Sequence, residues 1–186
     1  MLKKNIVLNY MFKFIGHFKT ITMHKIFVTL FCFKSGLYIQ GLKHDLSKYN
    51  PGEFFGSVKY YNGIQSPIDL EKAHKGFSYI GLYHTRANKH HFEYWVGFLD
   101  DKTIVPHKIP IKYIYEMVCD SIAAGKIYMG NNWNDSSPLE FFTKVYPNRY
   151  YNKDSSDLLF RIFHDIKKFG YKKILKHMRN KYYDYN

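Results

Sequence analysis

Apolar residues recur at mixed three- and four-residue spacing along the first long stretch of the chain, from about Phe12 to Gln40. This spacing places the apolar side chains on one broad face of a helix that a globular protein would bury. Gly36 and Gly41 are expected to weaken or end this helix, and the dipeptide His44-Asp45 follows directly. The residues that carry the pattern are Ile15, Phe18, Ile21, Val28, Phe31 and Leu37.

Two helix starts follow the dipeptide. In Asn50-Pro51-Gly52-Glu53 the Asn can cap, Pro fits the first helical position, and Glu53 can reach back as in a capping box. This helix is predicted to run to Tyr61 and to stop at Asn62-Gly63. The segment Ser66-Pro67-Ile68-Asp69 predicts a shorter helix that ends near Gly76.

The middle of the chain predicts two longer helices separated by a loop. The first spans Tyr79 to Trp95, with polar residues in its centre, and the second spans Ile111 to Tyr128. Acidic residues and prolines indicate a loop over residues 100–110, and a further loop is predicted over residues 131–138.

The C-terminal region predicts a basic amphipathic helix, or a pair of helices, from Ser156 to about Tyr182 with a break at Gly170. No alternation typical of strands is sustained in the sequence, so the predicted fold class is an all-α helical bundle. We expect one domain over residues 1–186, with a core over about 14–128 and a basic helical extension over about 139–186.

The chain carries a net charge of +13, with much of the excess between Lys167 and Lys181. Such a charge favours anionic partners, such as nucleotides, nucleic acid or acidic membrane surfaces, without choosing among them. The apolar run Ile26 to Phe33 is far shorter than the ~20 residues that a membrane span needs. We therefore expect a cytoplasmic protein without a membrane partner, and leave its oligomeric state open.

The chain has two cysteines, Cys32 and Cys119, each in an apolar segment. They form no Cys-x-x-Cys motif, so neither a zinc knuckle nor a thioredoxin-like site is available. Buried reduced thiols are the favoured interpretation, with a disulfide between the two as the alternative.

Histidine and acidic residues of the types that bind metal ions follow one another in a distinctive order along the chain. Imidazole nitrogens and carboxylate oxygens bind Zn, Fe, Mn and related ions. An adjacent His-Asp pair can offer one ligand to each of two neighbouring metals. The residues are His24, His44-Asp45 with Lys48, His84, His90-His91 and Asp120.

Asp120 lies among apolar and small residues in a helix that is predicted to be largely buried. A buried carboxylate is normally bound to a metal or paired with Arg or Lys.

On a continuous helix His91 would return to the face of His84, at a distance of about 10.5 Å along the axis, too far for one metal. Either the two histidines bind different metals, or the helix breaks between them, at Asn88. The interleaved Arg86 and Lys89 are candidates for binding phosphate oxygens.

A second His-Asp pair, His164-Asp165, is also followed by a Lys at the same spacing, Lys168. Apart from His177, no further histidine lies near it in the sequence, and the surrounding stretch is plainly amphipathic. We interpret this pair as part of a structural helix face.

The order of residues resembles the HD-domain superfamily of metal-dependent phosphohydrolases, whose members are all-α bundles. His44-Asp45-Leu46-Ser47-Lys48 looks like the HD-x-x-K element of that superfamily, and the resemblance covers about Phe14 to Tyr128. His90-His91-Phe92-Glu93 is similar to a region of its cyclic-dinucleotide phosphodiesterase branch. The segment from Cys32 to Tyr49 also looks like a small bacterial and phage family without assigned function.

The resemblance implies a first metal held by His24, His44, Asp45 and Asp120, with Asp45 bridging to a second. The second ion would be held by His84 and by His91 or His90. The expected cofactor is one or two divalent ions of Fe, Mn, Zn, Ni, Co or Mg.

The implied function is hydrolysis of a phosphorylated small-molecule or nucleotide-like substrate. Asp45 and Lys48 would be catalytic, Arg86 and Lys89 would bind substrate, and Glu93 would support a histidine ligand. The alternatives are a basic nucleic-acid-binding protein, and an HD scaffold that binds metal or nucleotide without turnover.

Overall fold

The computed structural model of the protein describes residues 2–185, with side chains from Val7 to Tyr185. Within this range nine α-helices and one short antiparallel hairpin are present, which confirms the predicted all-α fold. The strands are β1 (Val96–Phe98) and β2 (Ile104–Pro106). The helices are α1 (Leu2–Lys34), α2 (Tyr38–Lys43), α3 (Pro51–Tyr60), α4 (Pro67–Lys75), α5 (Tyr79–Ala87), α6 (Ile111–Met129), α7 (Ser137–Val145), α8 (Lys153–Phe169) and α9 (Tyr171–Arg179).

The predicted helix over residues 12–40 is two helices in the structure, because the chain turns at Gly36. This residue has a φ of 78°, which glycine adopts without steric cost. The turn is closed by a 2.8 Å hydrogen bond from the Leu37 N–H to the Cys32 carbonyl oxygen. Helix α2 then folds back against α1, where Lys25 Nζ and Thr29 Oγ1 both donate to the Gly41 carbonyl oxygen.

The predicted starts of α3 and α4 are confirmed by their caps. The side chains of Asn50 and Ser66 accept from the N–H groups of Gly52 and Ile68, respectively. The prediction that Glu53 reaches back to cap α3 is wrong: its carboxylate is buried and faces α5 instead.

The prediction of a continuous helix from Tyr79 to Trp95 is wrong. The structure has the alternative, a break of the helix at Asn88. Helix α5 ends at Ala87, and a 3-10 helix over Phe92–Trp95 leads into β1. Asn88 Nδ2 donates to the His84 carbonyl oxygen over 2.8 Å and to Ser47 Oγ over 2.8 Å, which holds the chain as it leaves the helix. The hairpin was missed because each of its strands is too short to show sustained alternation.

The predicted C-terminal helix pair is confirmed, with α8 and α9 separated at Gly170, where φ is 84°. Both helices bury their apolar faces in the main hydrophobic core, which they share with α1 and α6. His164 is exposed, and Asp165 accepts a 2.8 Å hydrogen bond from the Tyr183 hydroxyl. The second His-Asp pair is therefore part of a structural helix face, as interpreted from the sequence.

Cys32 and Cys119 are free thiols that lie buried between α1 and α6. A hydrogen bond with Cys119, together with burial, raises the pKa of the Cys32 thiol. No helix within residues 2–185 is both long enough and apolar enough to cross a membrane.

The close contact between α1 and α2 depends on the absence of a side chain at Gly41. A Cβ at this position would lie 2.9 Å from Cys32 Cβ and 3.3 Å from ring atoms of Phe33. We expect Gly41→Ala to lower the free energy of unfolding by about 1–3 kcal/mol, because α2 must move away from α1. The matched control is Gly52→Ala, where the added Cβ would meet only Asn50 Oδ1, at 3.5 Å. Denaturant titration measures the free energy of unfolding of both variants. A Gly41→Ala protein as stable as the Gly52→Ala control would contradict the expectation.

Candidate metal centre

The His44-Asp45 dipeptide lies at a sharp change of chain direction. Helix α2 ends one residue before it, and Asp45 has φ 52° and ψ 25°, in the left-handed region, before the 3-10 helix Leu46–Tyr49. Aspartate is one of the few residues besides glycine that visit this conformation. The side chains of His44 and Asp45 are both buried, so the turn directs two potential ligands into the interior.

A first cluster of potential ligands forms where this turn meets α1 and α6. His24 Nε2 lies 3.0 Å from Asp120 Oδ1 and 3.5 Å from Asp45 Oδ2. His44 Nε2 lies 3.4 Å from His24 Nε2, 3.3 Å from Asp45 Oδ2 and 3.7 Å from Asp120 Oδ1. Donor atoms bound about 2.1 Å from one cation are themselves about 3.0–3.4 Å apart. His24, His44 and Asp120 could therefore hold a metal ion, and Asp45 Oδ2 lies close enough to join them.

A second cluster lies on the other side of Asp45. His84 Nε2 and His90 Nε2 lie 3.5 Å and 3.4 Å from Asp45 Oδ1, and His91 Nε2 lies 2.9 Å from His84 Nε2. The end of α5 at Ala87 makes this possible, because the chain leaves the helix and returns both later histidines to His84. Three imidazoles and a carboxylate oxygen thus form a second group that could hold a metal ion.

Two buried polar atoms at the junction of the clusters support this interpretation. Among the described residues, Asp45 Oδ1 and His90 Nε2 have no hydrogen-bond partner, although both are inaccessible to solvent. Leaving such atoms unsatisfied costs about 1–3 kcal/mol each, and more for a charged group. A cation between Asp45 Oδ1 and the imidazoles would satisfy both atoms, so the residues present fit a metal ion.

Two buried glutamates contact the Nδ1 atoms of three of these histidines and thereby orient their rings. Glu116 Oε1 lies 2.9 Å from His44 Nδ1 and 3.2 Å from His90 Nδ1, and Glu53 Oε1 lies 2.8 Å from His84 Nδ1. A carboxylate that accepts the Nδ1 proton fixes the tautomer in which Nε2 is free to bind a metal. Although Glu116, His44 and His90 are themselves close enough to bind an ion, these hydrogen bonds explain their contact without one.

Sequence reasoning missed both glutamates. Glu116 lies four residues before Asp120, on the same face of α6, and an acidic residue in a buried apolar helix is the signal that could have identified it. Glu93, which was expected to support a histidine, is exposed on the 3-10 helix after His91. That expectation is corrected: the carboxylates that contact the ligand histidines are Glu53 and Glu116.

The charges of the centre hold its carboxylates ionised. Burial alone would raise the pKa of Asp45, but the charges of His44, Lys48 and His84 outweigh it and keep the pKa well below its usual value. Burial would also raise the pKa of Asp120, but hydrogen bonds from His24 and His44 outweigh this effect and keep the pKa well below its usual value.

The surroundings shift the pKa values of two histidines of the centre in opposite directions. Burial and the charges of His90 and His84 lower the pKa of His91 well below its usual value, so its imidazole is neutral. Burial also opposes the charged form of His44, but the charge of Asp45 and hydrogen bonds to Asp120, Asp45 and Glu116 raise its pKa. A metal ion must displace the proton of His44, so binding is expected to weaken in acid.

Lys48 lies beside the junction of the two clusters. Its Nζ is 2.6 Å from Asp45 Oδ2, and its side chain is half-buried. Burial opposes its charge, but Asp45 and Asp120 raise the pKa of Lys48, which therefore stays an ammonium.

A cavity of about 460 Å³ opens beside the ligands. Asp120, Lys48 and histidines of both clusters line it, together with residues of α7, α8 and the segment between them. The segment between α7 and α8 contributes the positively charged side chain of Arg149 to this lining. The expected substrate residues Arg86, in the last turn of α5, and Lys89, two residues after it, are exposed and do not line the cavity. The structure thus corrects that expectation and places Arg149 at the cavity instead.

Comparison with known proteins shows the family but no function. A family model described as "Family of unknown function (DUF5662)" matches residues 13–169, and the chain therefore belongs to this family. No curated protein and no solved structure shows a significant match to the chain.

Proposed function

We propose that this member of the DUF5662 family is a metal-dependent phosphohydrolase that cleaves a phosphate ester. The observation that carries the proposal is the pair of ligand clusters that share Asp45, one on each carboxylate oxygen. The order of these ligands along the chain resembles that of the HD-domain superfamily, and the all-α fold is consistent with it.

The proposed cofactor is a pair of divalent transition-metal ions. Five imidazoles contribute to the two clusters, together with Asp45 and Asp120. Imidazole suits Zn, Fe, Ni or Co better than Mg, which prefers an all-oxygen environment. When bound, such ions supply Lewis acidity and lower the pKa of a water molecule from 15.7 toward about 7.

The side chains around the clusters suit the charge changes of hydrolysis. In the overall reaction a water oxygen forms a new bond to phosphorus and the ester P–O bond breaks. The proton that the water loses balances the one that the departing alkoxide gains. Lys48 would stabilise the negative charge on the phosphoryl oxygens, since it lies on the cavity wall beside Asp45. Glu53 and Glu116 would keep the histidines in the metal-binding tautomer throughout.

The charge of +13 supports a second candidate function, the binding of nucleic acid through the basic C-terminal helices. Exposed lysines on α9 include Lys172, Lys173 and Lys176. This function requires no metal. Binding that weakens steeply with salt and is unaffected by a chelator would favour it.

Removal of the metal tests the proposal. We expect protein purified without added ions to contain a transition metal, and to hydrolyse p-nitrophenyl phosphate or bis(p-nitrophenyl) phosphate. Chelation should abolish turnover, and addition of one of the candidate ions should restore it. Elemental analysis measures the metal content, and a colorimetric assay measures the turnover.

The possible outcomes separate the candidate functions. Bound metal without turnover on a broad phosphoesterase panel would indicate a non-catalytic scaffold. A protein that binds no metal under any condition would contradict the proposal outright.

A further inference from the structure

The cavity beside the clusters is far larger than a phosphate group. Its volume of about 460 Å³ is within the range of sites that enclose whole small organic molecules. Apart from the ligand clusters, Lys48, Asp69 and Arg149, the lining is mostly apolar or aromatic, and it includes the core residues Phe142, Leu159 and Phe163. A ligand that fills this space therefore has an apolar body as well as its phosphate.

Aromatic rings hold Arg149 in the cavity lining. Its guanidinium carbon lies 5.3 Å from the ring centroid of Phe92 and 5.9 Å from that of Phe141. Phe92 in turn packs on Tyr151, with ring centroids 4.8 Å apart. The 3-10 helix Tyr146–Asn148 fixes the backbone, because the Arg149 N–H donates to the Tyr146 carbonyl oxygen.

No acidic side chain neutralises this guanidinium. Among the ion pairs formed by residues 7–185, none includes Arg149, whereas Lys48 is paired with Asp45. A partly buried guanidinium presents several donors in a fixed plane and binds carboxylates and phosphates strongly. Because it lines the same cavity as the ligand clusters, it is available to an anionic group of the bound molecule.

We propose that Arg149 selects a substrate that carries a second anionic group, such as a carboxylate or another phosphate, on a ring-containing apolar body. This inference rests on the proposed hydrolytic function and specifies its substrate class. The phosphoryl group to be cleaved lies at the shared clusters, the body packs against aromatic residues of the lining, and the second anion pairs with Arg149. The C-terminal third of the chain thus completes the pocket with α7, α8 and the segment between them.

Two matched phosphonates test this assignment, since their P–C bond cannot be hydrolysed. Phenylphosphonate and 4-carboxyphenylphosphonate differ only in the second anionic group. Calorimetry on metal-loaded protein is expected to show that the carboxylated compound binds about tenfold more tightly or better. Arg149→Met, which keeps an apolar stem between Phe92 and Phe141, should remove this preference. Arg149→Lys should retain part of it.

Arg179→Gln is the matched control, because Arg179 is exposed on α9 and does not line the cavity. It should preserve the preference, and metal content should be unchanged in all three variants. Equal binding of the two phosphonates to the unmodified protein, or a preference that survives Arg149→Met, would overturn the assignment while leaving the hydrolytic proposal intact. Failure of both phosphonates to bind metal-loaded protein would overturn the assignment alone, whereas failure of metal loading would overturn both proposals.

Discussion

Asp45→Asn is expected to remove both metal ions at once, because each carboxylate oxygen of Asp45 belongs to a different cluster. Oδ2 faces His24 and His44, and Oδ1 faces His84 and His90. The amide retains the shape of the side chain but is neutral, and its nitrogen cannot bind a cation. The loss of affinity should exceed the roughly 10–100-fold that removal of an outer hydrogen-bond partner costs.

The same substitution also leaves Lys48 without its ion-pair partner. In the native protein Lys48 Nζ lies 2.6 Å from Asp45 Oδ2. With an amide at position 45, the positive charge of Lys48 lies next to the site of cation binding without compensation, which lowers metal affinity further. If the hydrolytic proposal is correct, turnover should fall by about 10³-fold or more.

Asp165→Asn is the matched control, since Asp165 follows a histidine and precedes a lysine at the same spacing. Its carboxylate accepts from the Tyr183 hydroxyl, a bond that an amide oxygen can keep. Elemental analysis should show a full metal complement in this variant and almost none in Asp45→Asn. Full metal content in the Asp45→Asn protein would contradict the shared role of Asp45.

Local signals predicted much of the helical framework. The caps of α3 and α4 depend only on Asn50 and Ser66 and the residues beside them, so the sequence specified them directly. The end of α5 was harder to predict, because it depends on contacts between distant segments. Asn88 binds Ser47, a residue 41 positions earlier in the chain, and apolar periodicity contains no information about such a contact.

The candidate ligands could be identified because histidine and aspartate are the residue types that bind metals, whatever their partners. All seven predicted metal ligands lie in the two clusters, and Asp45 belongs to both. The outer residues could not be identified in the same way. A glutamate such as Glu53 serves equally well as a helix cap or as the partner of a histidine, and only the tertiary contact with His84 decides between them.

Arg149 likewise could not be identified from the sequence as a residue of the substrate cavity. Its sequence neighbours are tyrosine, proline and asparagine residues of a polar turn, a context typical of a surface loop. It reaches the cavity because α7 and α8 pack against the core and bring the turn between them to the cavity that the histidines also line. Arg86 and Lys89 were preferred from sequence because they lie next to the histidines, yet neighbouring residues at the end of a helix point in different directions.

Substitution of the two buried glutamates should affect metal affinity differently, because Glu116 contacts histidines of both clusters and Glu53 contacts a histidine of the second alone. Glu116 accepts from His44, in the first cluster, and from His90, in the second, whereas Glu53 accepts from His84 alone. We expect Glu116→Gln to lower the affinity for both ions by about 10–100-fold. Glu53→Gln should lower the affinity of the second cluster by a similar factor and leave the first nearly unchanged.

Titration of metal-free protein with Zn²⁺ or Co²⁺, followed by calorimetry, resolves the two binding steps. In Glu116→Gln both steps should weaken together, and in Glu53→Gln one should remain close to its native affinity. Glu140→Gln serves as a control, because Glu140 is exposed in the first turn of α7 and does not line the cavity. Identical profiles for the two glutamate variants would contradict this division of roles. Since each glutamate contacts only the Nδ1 side of its histidines, a selective effect would also show that histidine orientation contributes to affinity in addition to the identity of the ligands.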